Sequence, residues 1–133
     1  MTIAHYAYTA LDCDDPIALA DFYSKITGWP VEPLGDFLPA DVTWLELLDA
    51  NGYTKMAFQK IDNYQKPTWP TGGLPQQAHM DFHAKDLDIA EKALLEIGAV
   101  KAEFQPKPHR FRIYLDLAGH PFCIVQSDHD SCA

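Results

Sequence analysis

Three side chains that could transfer protons or bind a metal stand at alternate positions of one segment: His79, Asp81 and His83. Alternate residues of a β-strand point to one face of its sheet, so this spacing predicts that all three share a face. His79 could act as a general base or orient a ligand, because imidazole titrates near neutral pH. The alternative is a half-buried strand histidine that is satisfied by Asp81 or a backbone carbonyl. A metal site built from these three residues alone has poor geometry, since their side chains run parallel instead of converging.

A second polar group alternates in a later segment: Arg110, Arg112 and Tyr114. An arginine fork could hold a carboxylate or phosphate of a ligand. In a chain this acidic, we favour the alternative that these arginines pair with Asp or Glu side chains.

Charge and composition restrict the class of partner. Ten Lys and Arg against nineteen Asp and Glu give a formal net charge of −9 at pH 7. A nucleic-acid or anionic-membrane partner is therefore disfavoured, and a neutral or cationic small ligand is expected. The cysteines, Cys13, Cys123 and Cys132, form no C-x-x-C pair, and no apolar run approaches the ~18 residues of a membrane span. These features predict a soluble, cytoplasmic protein.

The sequence contains two helical patterns that lie 71 residues apart, opening at Asp15 and Asp86. Aspartate as N-cap and glycine after the last turn mark the ends of both, and proline follows Asp15 at the first helical position. Apolar residues recur at helical spacing, and in the second pattern they place Ile89 and Leu94 on one face.

The ends of the two halves also repeat. Segments 49–59 and 116–126 align without a gap at an offset of 67 residues, and each reads as an Asp-x-x-Gly turn followed by an apolar strand. A further strand pattern precedes each turn, and a weakly marked strand follows each helix, near Val31 and Val100. Each half is therefore predicted to be a βαβββ module.

We expect one α+β domain over residues 1–133, with a first module at 3–60, a linker at 61–76 and a second module at 77–127. The linker is rich in proline and glycine, which excludes a regular element there.

A duplicated βαβββ unit with these turns resembles the vicinal oxygen chelate superfamily, which includes glyoxalase I, bleomycin-resistance proteins and extradiol dioxygenases. The stretches DCDDP (12–16), PTWP (67–70), PQQAHMD (75–81) and AGHPFC (118–123) are similar to its glyoxalase-like branch, which is common in bacteria. The resemblance implies the glyoxalase/bleomycin-resistance fold, in which curled mixed sheets surround a cavity, and it implies a homodimer. In metal-using members, side chains from the first, fourth, fifth and eighth strands bind a divalent ion.

Carried over to this chain, those four positions fall on Tyr8, Met56, His79 and Cys123. The ions usual in the superfamily prefer carboxylate and imidazole donors, and only His79 offers one. We therefore predict no metal and no other cofactor, with one divalent metal as the alternative. Cys123 could be a nucleophile assisted by His79, although a small core residue is the commoner role of a lone cysteine.

The resemblance further implies an aromatic-lined pocket, although the same rings could pack in the core or anchor the linker. The predicted ligand-binding residues are Tyr6, Tyr8, Trp44, Met56, Trp69, Arg112 and Cys123, and the predicted catalytic residue is His79. The expected function is a metal-free small-molecule-binding or antibiotic-sequestering protein of unassigned substrate. The alternative is a superfamily enzyme, a lyase, isomerase or dioxygenase, that uses a divalent metal or His79 as acid or base.

Overall fold

The computed structural model describes residues 1–128, so Cys132 lies outside the described residues. The secondary structure comprises strands β1 (Thr9–Cys13), β2 (Trp44–Leu48), β3 (Thr54–Lys60), β4 (Met80–Ala84), β5 (Val100–Lys101), β6 (Phe111–Leu115) and β7 (Pro121–Gln126), with helices α1 (Pro16–Thr27) and α2 (Leu87–Glu96) and a 3-10 turn at Pro39–Asp41. The chain forms two compact units, Met1–Tyr64 and a second that begins at Gln65. None of the helices among residues 1–128 is long and apolar enough to cross a membrane.

In the first unit, helix α1 packs on a mixed sheet of order β1-β3-β2. The Asp15 carboxylate caps the helix by accepting from the Ala18 N–H, and Gly28 ends it in the left-handed conformation, as the sequence predicts. The strand predicted near Val31 is reduced to an isolated bridge with Leu47. This sheet therefore has three strands where four were expected.

The second unit repeats the arrangement, with α2 against a mixed sheet of order β4-β7-β6-β5. Asp86 caps α2 by accepting from the N–H groups of Asp88 and Ile89. The predicted strand near Val100 is present but only two residues long. The α+β class and the mixed sheets are thus confirmed. The predicted apolar face of α2 is partly wrong, because Ile89 is 70% exposed and Leu87 and Leu94 are the buried residues of α2.

In each unit the helix covers one sheet face and leaves the side chains of the other face pointing away from it. In the first unit, Tyr23 of α1 stacks on Phe58 of β3, with ring centroids 5.8 Å apart. In the second, Tyr114 of β6 donates a hydrogen bond to Glu91 of α2 and packs beside Phe122 of β7. Because strand side chains alternate, these aromatic rings identify the helix face of each sheet.

A one-residue irregularity distinguishes the two sheets. Leu48 pairs with Thr54 and Leu47 pairs with Met56, so Lys55 is left without a cross-strand partner in a β-bulge. Thr9 and Met80, which are 71 residues apart, pair with Met56 and Phe122 respectively, which are only 66 apart. The gapless offset of 67 therefore fails within the strand.

The bulge overturns the prediction that Met56 is the counterpart of Cys123. By register, the counterpart of Cys123 is Ala57, because Ala10 pairs with Ala57 as Asp81 pairs with Cys123. Met56 shares a face with Phe58, and it is buried at 3% exposure beneath the helix. A one-residue shift moves a strand side chain to the opposite face, which is why the gapless alignment assigned Met56 wrongly.

Candidate functional site

The helix-free face of the second sheet carries a compact cluster of three polar side chains, His79, Asp81 and Cys123. One ligand atom from each lies within 4.8 Å of the others. Asp81 pairs with Cys123 across β4 and β7, and Ile113 of β6 lies opposite Cys123 on the other side. Because cross-strand partners share a face, the sheet itself brings the carboxylate and the thiol together.

Asp81 lies at the centre of this cluster. Its carboxylate is 3.4 Å from Nε2 of His79, and the side chains of His79 and Asp81 are about half exposed, at 46% and 55%. The thiol of Cys123 donates a hydrogen bond to the same carboxylate. Burial raises the pKa of the Cys123 thiol to about 11, and the negative charge of Asp81 adds to the shift. The thiol is therefore protonated at neutral pH and acts as a hydrogen-bond donor.

The donor chemistry of the cluster decides which ions it could hold. Mg²⁺ and Mn²⁺ favour sites rich in oxygen donors, and here one carboxylate stands beside a nitrogen and a sulfur. That set of three does match what zinc accepts in sites that keep a fourth position open. The cluster thus fits a zinc-type ion and not the ions usual for carboxylate-rich sites.

The corresponding face of the first sheet has different chemistry. Tyr8 contacts Trp44 edge to face, with ring centroids 6.3 Å apart. Glu46 accepts hydrogen bonds from the Trp44 indole at 2.7 Å and from the Thr54 hydroxyl at 2.6 Å. Ala57, the counterpart of Cys123, offers only a methyl group. Trp44 also lines a cavity of about 230 Å³, so an aromatic ring and a satisfied carboxylate characterise this face.

Arg112 lies on the helix face of the second sheet and not beside Cys123. Its guanidinium pairs with Asp88 at 2.8 Å and with Glu91 at 3.6 Å. Lys101 and the Tyr114 hydroxyl also contact Glu91, at 2.9 and 3.0 Å. The hydrogen bond from Lys101 is the main cause that lowers the pKa of Glu91. Pairing with acidic residues, the favoured alternative for Arg112, is what the structure contains.

Two further predicted residues lie apart from the cluster. Tyr6 is 79% exposed and hydrogen bonds to Thr9 in the first unit. Trp69 is half-buried in the segment before β4, where it contacts Phe104 edge to face with centroids 5.9 Å apart. The contact with Phe104 anchors this segment to the second unit.

Among the predicted site residues, the structure therefore groups His79 with Cys123, and Tyr8 with Trp44. Sequence reasoning weighed Asp81 only with His79 and His83, and it missed the pairing of Asp81 with Cys123. His83 instead pairs with Val125. The strand register was the missing signal, because it fixes which cysteine of the chain lies beside the carboxylate.

Comparison with known proteins gives a consistent result. The family described as a glyoxalase-like domain matches residues 8–125. The fosfomycin resistance protein FosX from Listeria monocytogenes is similar in structure, with a TM-score of 0.63 and 14% identity over 97% of this chain and 95% of that one. FosX from Mesorhizobium loti gives 0.65 and 12%, covering 98% of this chain and 97% of that one.

A glyoxylase/bleomycin resistance protein/dioxygenase domain from Frankia sp. EAN1pec gives a TM-score of 0.61 and 17% identity, covering 95% of this chain and 99% of the other. At these identities the likeness concerns the fold, and it confirms the glyoxalase/bleomycin-resistance architecture. No curated protein sequence matches the chain.

Proposed function

Since this chain belongs to the glyoxalase-like domain family and hence to the vicinal oxygen chelate superfamily, we propose that it binds a small organic molecule without a resident divalent metal. The observation that carries the proposal is the cluster of His79, Asp81 and Cys123 on the helix-free face of the second sheet. The cluster offers hydrogen-bond donors and an acceptor within a few ångströms, beside the apolar Ile113. A few convergent polar groups on an apolar surface are what a small-molecule site requires.

The absence of a resident metal is proposed from the side chains at the four family positions. With the register corrected, these positions hold Tyr8, Ala57, His79 and Cys123. A phenol that is protonated at neutral pH and a methyl group provide no ligand for a hard divalent ion. The four-donor site of metal-using members is therefore not reproduced, which favours binding and sequestration over metal-assisted turnover.

The cluster also defines the polar chemistry of the ligand. The Cys123 thiol is a donor, the Asp81 carboxylate is an acceptor, and His79 can be either. A molecule with an adjacent donor and acceptor, such as an amide or a heterocycle, would satisfy all three. Aromatic residues of the first unit, Tyr8 and Trp44, are proposed to contribute stacking surface.

The test combines elemental analysis with binding. We expect protein purified with and without a chelator to contain no stoichiometric metal. In ¹H–¹⁵N NMR, neutral heterocyclic fragments should shift the amide signals of His79, Asp81 and Cys123. His79→Ala should weaken the binding by about tenfold, the loss of roughly one hydrogen bond to a charged partner. His5→Ala, a change at an exposed histidine of the first unit, is the matched control.

Stoichiometric metal in the untreated protein would contradict the metal-free proposal. Fragment binding that is equally tolerant of His79→Ala and His5→Ala would contradict the placement of the site.

A second function is favoured by one specific observation, the zinc-like donor set of His79, Asp81 and Cys123. Under this alternative the chain is a superfamily enzyme in which these three residues hold a zinc-type ion, and the ion supplies Lewis-acid chemistry when bound. Without an ion, the His79–Asp81 pair could still move a proton. Thermal-shift titration distinguishes the two functions, because zinc should stabilise the wild type but not Asp81→Ala only if the ion has a site here.

A further inference from the structure

A shallow groove at the end of the second sheet concentrates positive charge in an otherwise acidic chain. Its lining residues are Lys107, His109, Arg110, Phe111, Val125 and Gln126, around a cavity of about 480 Å³. None of these six is acidic, although the chain as a whole has a net charge of −9. The local field in the groove is therefore opposite in sign to that of the whole protein.

The backbone holds the basic side chains close together. The N–H groups of Arg110 and Phe111 both donate to the Lys107 carbonyl, at 2.9 and 3.0 Å, and so close a turn just before β6. Lys107, His109 and Arg110 are all exposed along this turn. Within residues 1–128 none of the three forms an ion pair, whereas Arg112, Lys101 and Lys25 are each paired with an acidic side chain. The turn therefore presents basic groups that no carboxylate of the described chain neutralises.

The floor of the groove is apolar. Phe111 and Val125 are direct cross-strand partners and both are half-buried. They lie on the same sheet face as Ile113 and Cys123, each two residues along its strand. At about 3.3 Å per residue, the groove begins roughly 7 Å from the polar cluster. A drug-sized molecule can span that distance.

We infer that this groove binds the anionic group of the ligand that the polar cluster recognises. The inference rests on the proposed small-molecule function and narrows it to organic anions with an apolar portion. Arg110 presents a planar fork suited to a carboxylate or a phosphate, and Lys107 adds a point charge. Phe111 and Val125 provide the surface on which the apolar portion lies. The expectation of a neutral or cationic ligand came from net charge alone, and the placement of the basic side chains argues against it.

The test uses three aromatic probes that differ only in the polar group: benzoate, phenyl phosphate and the neutral benzamide. Each is titrated into the full ¹⁵N-labelled chain. We expect both anions to shift the amide signals of residues 107–111 and of Val125, and benzamide to leave them unchanged. Arg110→Glu should weaken anion binding by at least about tenfold, whereas Lys92→Glu, the same charge change at an exposed lysine of α2, should weaken it by less than about threefold.

Benzoate and phenyl phosphate separate the two sources of anionic chemistry, since the tighter probe identifies the group. The inference is overturned if neither anion shifts these signals, if benzamide shifts them equally, or if Arg110→Glu and Lys92→Glu have equal effects. Shifts at His79 and Cys123 without any at 107–111 would overturn the anion groove alone and leave the proposed function standing. Shifts at 107–111 that occur while no fragment affects His79 or Cys123 would support the groove and contradict the proposed function.

Discussion

Cys123 should react slowly with alkylating reagents, and Asp81 should be one reason for it. The pKa of this thiol is raised from an ordinary value of 9.0 to about 11, first by burial and then by Asp81. Two pH units leave about a hundredfold less thiolate at neutral pH. A more basic thiolate is intrinsically about tenfold more nucleophilic, so the net expectation is alkylation about tenfold slower than for an unperturbed thiol.

The assay is iodoacetamide labelling followed by mass spectrometry of the Cys123 peptide, with a small unstructured thiol peptide as reference. Cys132 is replaced by Ser, and Cys13, which is fully buried, reports any unfolding. The rate should rise about tenfold per pH unit up to about pH 11. Asp81→Asn should accelerate labelling severalfold, and Asp62→Asn should not. Labelling at the rate of the reference peptide, or no response to Asp81→Asn, would refute the assignment of a protonated thiol held by Asp81.

Three further predictions concern stability. Asp116→Ala should lower the free energy of unfolding by about 2–4 kcal/mol in urea titrations, because the Asp116 carboxylate accepts from a buried Ala118 N–H and a half-buried His120 N–H. The matching Asp49→Ala should lower it by about 1 kcal/mol, since its two hydrogen bonds are exposed, and equal losses would contradict this account. Glu91→Gln should remove the stabilisation that is present above the carboxyl's ordinary pKa of 4.5 and is lost as the pH falls, because the folded-state pKa of Glu91 is lowered; unfolding curves measured from pH 3 to 7 would then be flatter for the variant. Phe58→Ala should cost about 3–5 kcal/mol by opening a cavity beside Tyr23, and calorimetry showing a drop in Tm of only a degree or two would count against that packing.

The parts of the fold that sequence predicted well are those set by local signals. Asp15 and Asp86 cap the two helices because a side-chain oxygen can satisfy exposed N–H groups wherever a helix starts. The repeated Asp-x-x-Gly turns also fold alike, with Asp49 and Asp116 each accepting from the backbone of the turn. Such interactions depend on neighbours in sequence, so they can be read without the tertiary structure.

The candidate site was harder to predict because it depends on pairing between strands. Only the register of β4 against β7 brings Asp81 beside Cys123, and the bulge at Lys55 moves Met56 out of the site. The role of Arg112 depends on acidic residues of α2 that lie more than twenty positions away in sequence. The bound molecule, the homodimer and the cellular location stay predictions, since they depend on molecules outside the chain.

The bulge at Lys55 also bears on how a duplicated protein diverges. After a duplication, both halves begin with the same residues on the same faces, and any substitution that suits a ligand must also suit the core. An extra residue in one strand exchanges inward and outward positions from that point on. In this chain the change has put a methionine into the core and an alanine on the face where the other half keeps a cysteine. One codon can therefore free half of a symmetric protein to acquire a different binding surface while its helix and turns remain as inherited.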